Sequence, residues 1–271
     1  MKNAPNSNQN MNRAGSEIFN KVPQITLIFW VMKICATTLG ETAGDLMSMT
    51  LKMGYAASTV ILMGIFLITV IGQLASRKYH PLLYWMVILS TSTAGTTMSD
   101  FMDRTLKLGY ARGSLILVSV LALIFALWKL SGESFSVDNI RSRKIELFYW
   151  TAILFSNTLG TALGDFLADD SGLGFMGGAL LIGSILAAIV LAHFHTKLSK
   201  TLLFWVAFIL TRPFGATLGD VLTKSKDRGG LDFGTIGSSI ALGSILAVLI
   251  GYTLLRRLSE AEDHQDFLTS L

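Results

Sequence analysis

The chain has 271 residues, of which 51% are hydrophobic and 15% charged, with one cysteine and a formal net charge of +4. A soluble domain carries about 25% charged residues, so this composition belongs to a membrane protein rather than a water-soluble one. The lone Cys35 excludes an intrachain disulfide and a thiolate metal cluster. The modest positive charge is scattered among short loops and gives no footprint for nucleic acid.

In chain order, residues 1–21 are polar and lack the apolar stretch of a signal peptide. They read as a disordered cytoplasmic tail. Apolar segments follow near 23–46, 55–75, 81–102, 111–129, 147–167, 175–195, 201–222 and 234–255. Each is long enough, at 1.5 Å per residue, to cross a hydrocarbon slab about 30 Å thick. The expected fold is all-α and polytopic, with eight transmembrane helices.

The segments repeat. Trp30, Gly40 and Asp45 recur as Trp85, Gly95 and Asp100, as Trp150, Gly160 and Asp165, and as Trp205, Gly215 and Asp220. The four starts are 55, 65 and 55 residues apart, so a two-unit half has itself been duplicated. This predicts four parallel two-helix repeats in two four-helix halves, 22–130 and 147–258. A cytoplasmic linker at 131–146 joins them and a tail at 259–271 follows. Thirteen Lys and Arg lie on the side of the termini against seven on the other, which places both termini in the cytoplasm. The units, in forms such as WTAILFSNTLGTALGD and WVAFILTRPFGATLGD, resemble a bacterial family of repeat-containing integral membrane proteins of unknown function. The resemblance covers nearly the whole chain. It implies the inner membrane as location and supplies no activity.

At about 100° per residue the motif divides its helix into two stripes. Gly40, Gly44, Gly95, Gly160, Gly164, Gly215 and Gly219 form a small-residue ridge that lets neighbouring backbones approach. A polar stripe holds Asp45, Asp100, Asp165 and Asp220 with Glu41, supported by Thr38, Thr42, Thr93, Thr97, Thr158, Thr217 and Asn157. Such a face cannot be turned to lipid cheaply. Arg212 and Lys33 are the two bases within spans and the expected charge partners. Five carboxylates against these two bases would give a shared cavity a charge of −3.

Oxygen ligands of this kind suit hard cations such as Mn²⁺, Mg²⁺, Ca²⁺, Na⁺ or protons. The functional expectation is a transporter or channel for a small hard cation, with Glu41, Asp45, Asp100, Asp165 and Asp220 as its binding site. No cofactor beyond such an ion is expected, the other partner is the lipid bilayer, and a homo-oligomer is compatible with the sequence. The competing readings are a scaffold whose Asp residues cap helix ends and, further off, an intramembrane aspartyl enzyme. Neither a nucleotide loop nor a nucleophile triad is visible.

Overall fold

The computed structural model describes residues 23–76, 79–135 and 142–269, without the side chains of 260–269. The N-terminal tail expected over 1–21 and the middle of the linker lie outside the described residues. Among the described residues there are eight α-helices: α1 Leu27–Asp45, α2 Tyr55–Ala75, α3 Pro81–Asp100, α4 Tyr110–Leu130, α5 Arg143–Asp165, α6 Gly174–His195, α7 Lys200–Thr223 and α8 Gly234–Thr269. No strand occurs among the described residues.

Local chemistry starts the motif helices cleanly. Thr26, Ser142 and Ser199 cap α1, α5 and α7, each side-chain oxygen accepting a bond from an amide three residues on. Pro81 opens α3, where the missing N–H costs nothing. The Ser142 cap sets the start of α5 four residues earlier than the apolar pattern suggests, because Glu146 is buried rather than in a loop. At the other end, α1, α3 and α5 each run into a π-helical turn, at Leu46–Thr50, Phe101–Thr105 and Phe166–Asp170. Gly54 and Gly109 then take positive φ to start α2 and α4. The fourth unit, which carries Pro213, stays α-helical to Thr223.

The motif helices form a closed inner ring in which α1 packs on α3, α3 on α5, α5 on α7, and α7 back on α1. Each second helix lies outside the ring and packs chiefly on the motif helix of the next unit: α2 on α3, α4 on α5, α6 on α7 and α8 on α1. The contacts of α3 with α5 and of α7 with α1 join the two halves into one ring.

This arrangement explains the hydropathy of the segments. Five helices, α2, α4, α6, α7 and α8, are long and apolar enough to cross a membrane. The four outer ones bury little inside the protein and expose Val60, Ile68, Leu115, Ile240 and Val248, as lipid-facing helices do. The inner α1, α3 and α5 are less apolar because their surfaces meet protein. The motif tryptophans are not an interfacial belt. Trp85, Trp150 and Trp205 are buried, with Tyr84, Tyr149 and Phe208, in an aromatic layer at one end of the ring. Trp30 alone of the four is only partly covered.

Candidate functional site: a charged column on the ring axis

The glycine ridge sets how closely the inner helices approach. A Cβ at Gly40 would meet Ser92 of α3, one at Gly95 would lie 3.0 Å from Asn157 Cβ of α5, one at Gly160 would meet Arg212 of α7, and one at Gly215 would meet Thr37 of α1. Gly44, Gly164 and Gly219 repeat the pattern one turn on, against Thr96, Ala216 and Glu41. Each glycine thus receives a side chain of the next helix round the ring. Those side chains are the ones that occupy the axis.

Counted from each Trp, the axial residues recur every fourth position. The levels are Lys33, Ile88, Ile153 and Phe208; then Thr37, Ser92, Asn157 and Arg212; then Glu41, Thr96, Thr161 and Ala216; then the four Asp. All of them are buried. A row of every fourth residue drifts about 40° per step round a helix, so helices inclined to the axis are needed to keep it central.

Two clusters hold the charges. At the Asp level, Asp45, Asp100, Asp165 and Asp220 are each 2–3% exposed. Arg104 bridges Asp100 at 2.9 Å and Asp165 at 3.2 Å, while Lys224 bridges Asp45 at 2.7 Å and Asp220 at 3.1 Å. Each base therefore takes the Asp four residues behind it and the Asp of the next unit. Arg104 is also fixed by Tyr55, whose hydroxyl accepts from its Nη1 at 3.3 Å, and lies over the rings of Tyr55 and Tyr110. Lys224 has no aromatic clamp among the described residues. One turn deeper, the Arg212 guanidinium is fully buried and donates to Glu41 Oε2 at 3.0 Å, Thr161 Oγ1 at 2.7 Å and Thr96 Oγ1. Its other bonds go to the carbonyls of Thr37 and Ser92.

The sequence-derived charge of −3 is corrected by this geometry. Arg104 and Lys224, which read as loop residues, fold back onto the ring, so the column holds five carboxylates against four bases. The signal available was a base four residues after Asp in the second and fourth units only. Arg212 pairs with Glu41 rather than with an Asp. Lys33 pairs with no carboxylate among the described residues; its Nζ sits 4.0 Å over the Phe208 ring.

The supporting hydroxyls are elsewhere. Thr38, Thr93, Thr97, Thr158 and Thr217 each donate to a carbonyl one turn back in their own helix. Thr42 does so too and accepts from Ser239 of α8. Asn157 donates to Thr91 of α3. The threonine hydroxyls that reach a carboxylate are those of Thr96 and Thr161, at 3.2 and 3.3 Å from Glu41. The helical wheel counts angles within one helix, so it does not show which hydroxyls a neighbouring helix brings to a carboxylate.

No described backbone amide is capped by the four Asp. Glu41, Asp45 and Asp220 can each present one oxygen such that the three lie within 4.8 Å of one another. That triad fits a hard cation in donor type and spacing.

No curated protein and no solved structure matches the chain. A family model does, four times in succession, over residues 28–79, 83–134, 148–199 and 203–259. Each match takes in one motif helix and the outer helix that follows it. The chain is an integral membrane member of the family described as Repeat of Unknown Function (DUF347).

Proposed function

We propose that the protein carries a small hard cation across the bacterial cytoplasmic membrane, using the axial carboxylates as its binding site. In this reading all eight helices span the bilayer, the four units lie parallel, and both termini are cytoplasmic. The observation that supports it best is the position of Lys224. Its ammonium bridges Asp45 and Asp220, two members of the triad that Glu41 completes, where a metal ion or sodium would bind. Lys224 is tethered at the rim and 17% exposed, so it can swing out as a cargo ion arrives. Arg104, clamped by two tyrosines, holds the other pair of Asp in place. The exchangeable half of the ring is thus Glu41, Asp45 and Asp220. Below it, Arg212 and the aromatic layer fill the axis, which favours a carrier over an open channel.

The scaffold reading draws support from one fact: each ring carboxylate already has a basic partner. Lys224→Met separates the two. As a carrier, the variant loses its resident competitor and gains at least tenfold in cation affinity. Mn²⁺, Ca²⁺ or Na⁺ then restores its melting temperature at concentrations that do not move the wild type. As a scaffold, Lys224→Met melts early and no cation in that panel restores it, which would end the transport reading. Asp45→Asn and Asp220→Asn should abolish cation uptake into liposomes. Orientation is checked separately by labelling a cysteine placed at Ser171, since the native Cys35 is buried. Reagent confined to the cytoplasmic side should not reach it.

A further inference from the structure

Beneath Arg212 the axis passes through a level where three of the four residues are apolar, Ile88, Ile153 and Phe208, and the fourth is Lys33. All four are fully buried. Among the described residues nothing accepts a hydrogen bond from Lys33 Nζ, whose one favourable contact is the Phe208 ring face at 4.0 Å. A cation–π contact contributes about 2 kcal/mol when desolvated, whereas stripping an ammonium of water costs several kcal/mol even after relaxation. One level up, Arg212 Nε and Ser92 Oγ are also buried donors without an acceptor, and Asn157 Oδ1 is a buried acceptor without a donor.

The charges are as lopsided as the hydrogen bonds. Lys33 and Arg212 lie within electrostatic reach of each other, and among the described residues the one carboxylate paired with either of them is Glu41. With Lys33 protonated, one positive charge is left over. Water can satisfy loose donors, but it cannot neutralise that charge. An anion does both, because it accepts from several donors and needs none in return.

The geometry points to a site for a small monovalent anion on the ring axis, between Lys33 and the Arg212 level. Its walls are aliphatic and aromatic, so the anion must shed most of its hydration. That selects weakly hydrated ions of chloride size or above, bromide and nitrate included, over fluoride and sulfate. A crevice of about 550 Å³ between α1, α6 and α7 approaches from the aromatic end. It reaches Ile34 and Thr211, the chain neighbours of Lys33 and Arg212. The site is separate from the Asp ring and its test involves no metal ion.

The test uses the full chain in nanodiscs, with choline as the only small cation and ionic strength held constant while gluconate is replaced. Chloride should raise the melting temperature saturably, with bromide and nitrate acting at lower concentration and fluoride and sulfate without effect. Radiolabelled chloride should bind saturably and be displaced by bromide. Lys33→Met should lose the chloride response and melt no lower than wild type in gluconate, because it removes a buried charge and keeps the volume. Equal melting of the wild type in chloride and gluconate would overturn the site, as would a full chloride response in Lys33→Met. Should that variant not fold, the labelled-chloride measurement on the wild type decides: no saturable binding refutes the inference.

Discussion

The Arg212–Glu41 pair offers the sharpest check on how the inner ring is held. Arg212 is fully buried and Glu41 3% exposed, with the guanidinium 3.0 Å from Oε2. Arg212→Met keeps the unbranched apolar stem and removes the charged guanidinium, leaving Glu41 with only the Thr96 and Thr161 hydroxyls, at 3.2 and 3.3 Å. Breaking a buried pair from one side costs about 3–5 kcal/mol, mostly from the stranded charge. The two hydroxyls remain, so the lower end of that range is expected. Glu41→Gln strands the guanidinium and should cost a similar amount, since only the carbonyls of Thr37 and Ser92 and the two hydroxyls are left to it. The double variant has no buried net charge to strand and should fall within about 1 kcal/mol of wild type. A coupling this large is far outside the few tenths expected of independent sites. Reversible unfolding in mixed micelles, followed by circular dichroism, measures all four corners of the cycle. Losses that simply add in the double variant would refute the pairing.

Gly160→Ala should destabilise by about 1–3 kcal/mol through overpacking, because the new Cβ would lie 2.6 Å from Arg212 Cβ and 2.9 Å from Pro213 Cδ. Gly64→Ala in α2, where nothing stands within 4 Å, should instead gain about 0.8–1.0 kcal/mol from helix propensity; thermal melts of the two variants should move in opposite directions. Asp103, in the π turn beyond α3, is pushed by burial from the usual carboxylate range up to about 6, with Ser99 and Arg104 pulling the other way. A carboxyl whose pKa is raised on folding disfavours the fold when ionised, so stability falls as pH rises through about 6. Asp103→Asn should therefore melt higher than wild type at pH above about 7 and converge with it near pH 4; a constant difference across that window would contradict the assignment.

Periodicity and composition alone determined the class and the number of helices. Runs of about twenty apolar residues are local signals, read without knowing any partner, whereas the apolar pattern misses the cap at Ser142 and starts α5 four residues late. The fourfold recurrence of Trp, Gly and Asp likewise exposed the repeat, because identical units must make equivalent contacts. What only the tertiary structure decided is which residues meet. The outer helix of each unit packs chiefly on the next unit's motif helix, closing a ring that no single repeat encodes. The packing of the inner helices on one another brings Thr96 and Thr161 to Glu41 while Thr38, Thr93 and Thr158 turn to their own backbones. Arg104 and Lys224 looked like loop charges because solvent exposure is cheap for a base. Each becomes a bridge only where two carboxylates from different repeats converge within reach of one side chain. The sign and size of the charge on the axis depend on distances between units, and a linear sequence holds no record of those distances.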